Sequence, residues 1–163
     1  RGCVEVVRML LEMKADKDKT GSYGATPMFM ASRGGHTDVV SVLLQANADK
    51  DKSTHNGSTP LHMASLGGHL EIVQLLLETN AAYDNADANG ATPLLKASLR
   101  GQLAIVRLLL EANADKDKAS NDGATALSAA VQGGHHEMVQ LLLEASHVRA
   151  QHSLLSYRAP EAA

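Results

Sequence analysis

Three copies of the string ADKDK, at 15–19, 48–52 and 114–118, alternate carboxylates and ammonium groups, which makes a cation site the first chemistry to test. A calcium-binding loop needs glycine at its sixth position and glutamate at its twelfth. Counted from Asp16, Asp49 and Asp115, the twelfth residues are Pro27, Pro60 and Ala126, and only Gly21 meets the requirement at the sixth. Each copy also carries as many lysines as aspartates, which repel the ion that the carboxylates attract. Calcium is excluded, and the mixed charge reads as a solvated connector.

Histidine is the second candidate ligand, with eight in the chain. His36, His69 and His135 recur at multiples of one fixed interval, so they cannot converge on a single zinc ion at about 2 Å from each nitrogen. They read as side chains closing a junction between helices. His135, His136, His147 and His152 are denser but lack cysteine or patterned carboxylate support. No catalytic pattern is present: there is no Walker-type loop, no GxSxG, and HHEM at 135–138 lacks the second histidine of HExxH. The lone Cys3 excludes an internal disulfide and fits a reducing compartment. The sequence thus predicts no enzyme, no cofactor and no metal.

The spacing of these residues carries more than their chemistry. The ADKDK copies start 33 and then 66 residues apart, and the skipped slot, 81–85, reads AAYDN. Gly24, Gly57, Gly90 and Gly123 keep the same period, as do Thr26, Thr59, Thr92 and Thr125, and Ala31, Ala64, Ala97 and Ala130. A period of this length is the mark of a repeat architecture. The array spans 1–145, with a partial repeat at 1–23 and repeats at 24–56, 57–89, 90–122 and 123–145. The chain begins in mid-repeat and without Met, which fits a piece of a longer protein.

Composition narrows the function classes. Aromatics are 2% of the 163 residues, so the core must be thin layers of Leu, Val, Ile and Ala. A net charge of −3 offers no basic footprint for nucleic acid. No apolar run approaches the 18 or so residues of a membrane span. An intracellular, cytoplasmic monomer is the expectation.

Within the unit 57–89, Thr59 before Pro60 is a helix start, because the hydroxyl caps free N–H groups and proline suits the first helical position. The first helix is predicted from about Pro60 to Leu66, ended by Gly67 and Gly68. From Leu70 a second helix puts Ile72, Val73, Leu76 and Leu77 on one face and Glu71, Gln74 and Glu78 on the other. Asn80, like Asn47 and Asn113, follows it where a left-handed residue is wanted. Stacked connectors would lie roughly 8–10 Å apart, about a Debye length. The charge strip is therefore expected to serve solubility more than stability.

The stretch GSTPLHMASLGGHLEIVQLLL at 57–77 resembles the ankyrin repeat. Thr59, Pro60, Leu61 and His62 match its Thr-Pro-Leu-His turn, Ala64 its small residue in the first helix, and Gly68 with His69 its Gly-His junction. The resemblance covers about 1–145. Phe29, Leu95 and Ser128 depart from it at the histidine, Ala126 at the proline, and Arg100 with Gln102 at the junction. It implies an all-α solenoid of stacked helix-turn-helix units with protruding β-turn loops.

The resemblance also implies a non-catalytic module that binds a partner protein through turn tips and the concave first-helix surface. The alternatives are a regulatory module docking on a catalytic or channel domain of the same longer chain, and a spacer. The partner-facing positions map to Tyr23 and Arg33; to His55, Asn56, Ser58 and Leu66; to Asn89, Leu99 and Arg100; and to Asn121, Asp122 and Gln132. Tyr23, Arg33, Leu66, Leu99 and Arg100 are the expected anchors, since aromatic and Arg side chains dominate hot spots. Met28 and Met63 are expected as core filler. Residues 146–163 break the pattern and are expected to extend the last helix as a C-terminal cap over Val148, His152 and Leu155, or else to form a frayed tail.

Overall fold

The repeat period sets the order of elements in a computed structural model, which describes residues 4–145. The helices are α1 (Val4–Glu12), α2 (Pro27–Gly34), α3 (Thr37–Gln45), α4 (Pro60–Gly67), α5 (Leu70–Glu78), α6 (Pro93–Leu99), α7 (Leu103–Glu111), α8 (Ala126–Gln132) and α9 (136–145). No strand occurs among the described residues. The even-numbered helices pack side by side in one layer and α1, α3, α5 and α7 in a second, and each repeat joins one helix of each. The expected tail at 146–163 lies outside the described residues.

Each even-numbered helix starts for the same reason. The Thr26, Thr59, Thr92 and Thr125 hydroxyls accept the N–H of Phe29, His62, Leu95 and Ser128 at 3.1, 3.4, 3.2 and 3.2 Å. Such a cap contributes about 1 kcal/mol. Pro27, Pro60 and Pro93 occupy the first turn, where a missing N–H costs nothing. At the other end of the unit Asn47, Asn80 and Asn113 take φ of 55, 59 and 67°, as expected, and Lys14 fills the same slot in the partial repeat at 59°.

The core runs along the whole stack rather than closing around a centre. Leu43, Leu76 and Leu109 recur at one position, Val40, Val73 and Val106 at another, all at most 1% exposed. Met28 and Leu61 are fully buried from the other layer, whereas Met63 is only half-buried and Met30 is 52% exposed. Ala31, Ala64, Ala97 and Ala130 line the helix-to-helix seam, where a larger side chain would hold the layers apart.

Candidate functional site

Two hydrogen-bonded rails fix where the loop side chains stand. Along the turn tips, the N–H of His55, Ala88 and Asn121 donates to the carbonyl of Tyr23, Asn56 and Asn89 in the preceding repeat, at 2.9, 2.8 and 2.9 Å. Along the connectors, Asp18, Asp51 and Asp84 carboxylates accept the N–H of Asp49, Ala82 and Asp115 at 2.8, 2.8 and 3.0 Å. Lys52 and Lys118 ammonium groups donate back to the carbonyls of Asp18 and Asp84 at 3.0 and 2.7 Å.

The second rail corrects the reading of ADKDK as a purely solvated strip. The first aspartate of each copy is exposed, but the second, in the first two copies, reaches the next repeat and satisfies a backbone donor there, whereas Asp117 of the third copy pairs with the adjacent Lys116. In the diverged copy AAYDN the acceptor Asp84 is what survives. Repeat spacing brings a carboxylate within hydrogen-bond range of the neighbour, which the distance between like loop positions does not reveal.

Histidines close the junctions at the ends of the even-numbered helices. A Cβ on Gly67 would fall 2.5 Å from the His69 ring, and one on Gly35 2.6 Å from the same ring across the repeat boundary. The His69 Nε2–H donates to the Arg33 carbonyl at 3.3 Å. Gly34 and His36 meet in the same way, at 2.7 Å. Where Gln102 replaces the histidine, Arg100 replaces the glycine, so the departure is a paired one. No cluster of three or more metal-ligating side chains occurs among the described residues.

Nine of the twelve expected partner-facing residues line two grooves between a pair of tips and the helix beneath. The first groove, ≈ 480 Å³, is lined by Tyr23, Arg33, His55 and Asn56 together with Ala25, Phe29 and Met30. The second, ≈ 380 Å³, holds Asn89, Leu99, Asn121, Asp122 and Gln132 beside Leu95 and Lys96. Arg100 is exposed but lines neither, and Leu66 is only half-buried at the end of α4. Ser58 departs from expectation. It is 4% exposed, and its carbonyl accepts both the N–H and the hydroxyl of Thr54, at 3.0 and 3.1 Å, so the tip folds over it.

Tyr23 holds the one non-glycine left-handed φ among the described tips, 63°, next to Gly24 at 79°. A Cβ on Gly24 would meet His55 at 2.7 Å. The first tip therefore has two consecutive positive φ values, and Tyr23 is 80% exposed. Left-handed backbone at a non-glycine residue stores about 1–3 kcal/mol and concentrates at functional sites. Asn56, Asn89 and Asp122 stand at the same place in the other repeats.

Behind the second groove lies a polar cluster that motif reading missed. The Asp87 carboxylate pairs with Lys96 at 2.8 Å and accepts the N–H of Asn89 and Ala91 at 2.9 and 3.0 Å. Burial pushes the Asp87 carboxyl up, but Lys96 and the two N–H groups outweigh it and hold the group below the usual range. His62, fully buried, faces Thr59 through Nδ1 and Ala91 through Nε2, whose proton is donated to the carbonyl at 2.9 Å. Burial lowers the His62 pKa against the opposing pull of Ala91 and Asp87, which keeps the ring neutral. The signal was available as a double change: Asp87 stands where Thr54 and Ser120 do, and Lys96 where Met30 and Met63 do.

Charge divides between the two sides. The exposed carboxylates Glu5, Glu12, Asp38, Glu71, Glu78, Glu111, Glu137 and Glu144 lie on or at the ends of the odd-numbered helices, which carry Arg8 and Arg107 as their arginines among the described residues. The even-numbered side carries Arg33 and Arg100, neither of them ion-paired among the described residues, against Asp122. The Ser120 hydroxyl and the Ala124 N–H hold the Asp122 carboxyl below its usual value.

No helix among the described residues is long and apolar enough to cross a membrane. The model for ankyrin repeats (3 copies) matches residues 1–87, 46–120 and 80–152. No curated protein matches the chain. With the period, the threonine caps, the glycine-histidine junctions and a family match spanning 1–152, the chain belongs to the ankyrin-repeat family.

Proposed function

We propose that this array is a non-catalytic module that binds a partner protein across its turn tips and the outer faces of α2, α4 and α6. Ankyrin repeats generally serve as protein interaction modules, and the family is typically non-catalytic. The observation that carries the reading is the repetition of one groove type at two places, each taking side chains from two tips and the helix beneath, with Gln132 of α8 added at the second. The tip rail holds these side chains in register, so the surface is ordered before a partner arrives, which lowers the cost of binding. Exposed Tyr23, Leu99 and Arg33 have the composition of interface anchors.

The test is affinity capture with residues 1–163 beside two variants. One carries Arg33→Glu, Leu66→Glu and Leu99→Glu; the other carries Glu71→Lys and Glu111→Lys on the opposite side. A protein held by the parent and the second variant but lost by the first is the expected result. Capture that is empty, or lost only with the second variant, overturns the reading and directs attention to docking within a longer chain.

A further inference from the structure

We propose that the groove between the first two turn tips takes a protein segment presenting an apolar side chain next to a carboxylate. The inference rests on the protein-binding reading and names the partner chemistry of one site within it.

The apolar half follows from the floor and walls. Ala25, Phe29 and Met30 form a depression beneath the Tyr23 ring, and Phe29 and Tyr23 are two of only four aromatic residues in the chain. Met30, 52% exposed, has the flexible thioether that adapts to a ligand's shape. The ring of Tyr23 is amphipathic and stiff, so holding a neighbour against it costs little conformational freedom. Its left-handed backbone keeps it over the groove at the expense of local strain.

The carboxylate half follows from Arg33. Arg33 lines the groove and is exposed, with no ion pair among the described residues, and its planar fork suits two parallel bonds to a carboxylate. His55 adds an imidazole, with its own ring N–H donor, to the lining. No carboxylate lines this groove. The other groove differs on this point: its Lys96 is tied to Asp87, and Asp122, a carboxylate, is part of its lining. An acidic segment is therefore accepted at the first groove and repelled at the second.

The experiment selects displayed random linear peptides on residues 1–163 and measures the best binder by fluorescence anisotropy. Enriched sequences should carry Asp or Glu beside a Leu, Met or aromatic residue. Arg33→Glu and Tyr23→Ala should each weaken that peptide about tenfold or more, while Glu111→Lys on the opposite side leaves it unchanged. Replacing the peptide's carboxylate by lysine should restore binding to Arg33→Glu. Enriched peptides without an acidic residue, or peptides lost with Leu99→Ala and indifferent to Arg33→Glu, overturn this proposal and leave protein binding standing. It is likewise overturned, with protein binding intact, if no peptide is enriched while affinity capture still retains a protein; failure of both removes the two readings together.

Discussion

The repeats at 57–89 and 90–122 share a frame and differ in how it is closed. Thr59 and Thr92 cap the same turn, and Leu76 and Leu109 are equally buried in the same layer. Yet the first repeat fills its turn with His62 and its junction with Gly67, Gly68 and His69, while the second uses Leu95 and then Arg100, Gly101 and Gln102. The polar tip residue ahead of each repeat changes as well, from Thr54 before the first to Asp87 before the second, and Lys96 arrives in place of Met63 to neutralise it. Backbone geometry is thus fixed by caps, left-handed residues and aliphatic layers, and the polar closures are exchanged as matched sets.

Core truncation gives the largest expected effect and tests the shared frame. Leu76→Ala and Leu109→Ala should each cost about 2–5 kcal/mol, read from urea unfolding at constant m. A loss in one repeat with none in the other would break the equivalence of the two layers.

The junctions should respond differently. Gly67→Ala forces a Cβ into the His69 ring and should cost about 1–3 kcal/mol. Adding His69→Gln, the pairing that Arg100 and Gln102 use, should recover part of that loss, with a coupling of about 0.5–3 kcal/mol in a double-mutant cycle. Strict additivity would mean the two departures in the second repeat are unrelated.

Acid sharpens the contrast at the turn. His62 has a folded pKa below its ordinary 6.5, so the unfolded chain binds the proton more readily. Its contribution is complete above that value and declines as pH falls through it, with a slope of at most about 1.4 kcal/mol per pH unit. His62→Leu, which copies Leu95, should remove this slope in the pH dependence of unfolding, whatever it does to stability at neutral pH. An unchanged slope would mean that His62 takes up its proton as readily in the folded chain as in the unfolded one.

The smallest effects separate the two aspartate-lysine roles in the connectors. Asp51→Ala removes the acceptor of the Ala82 N–H and should cost about 0.5–1.5 kcal/mol. Lys50→Ala, at a partly exposed 3.6 Å ion pair, should fall within about 0.5 kcal/mol of the parent. Equal losses would return the connector to a simple solvated strip.

Most of the frame is legible in the sequence because it rests on local rules. A threonine before proline starts a helix, and an asparagine after the last aliphatic residue ends one, whatever surrounds them. The predicted helix end at Leu66 and the observed one at Gly67 differ by a single residue. What the pattern cannot show depends on the rise between repeats. That rise decides that Asp51 meets Ala82, that His69 rests on Gly35, and that Ser58 is covered while its neighbour Asn56 is exposed. The residues of the two grooves follow from the repeat positions, but their separation into sites of different charge does not, because nothing in the period ties Lys96 to Asp87.

The tip rail also sets a length. The grooves stand two repeats apart, a separation of about 20 Å at the usual spacing of packed helices. A ligand with one anchor for each would be joined best by a flexible connector of about a dozen residues, whose root-mean-square reach matches that span. Once the first anchor is seated, the second meets its groove at an effective concentration near the millimolar range, and shorter or much longer connectors forfeit that gain. For a partner that engages both proposed grooves, the ladder of backbone bonds between turns would make the array a ruler, discriminating among ligands that carry the same anchors at different distances.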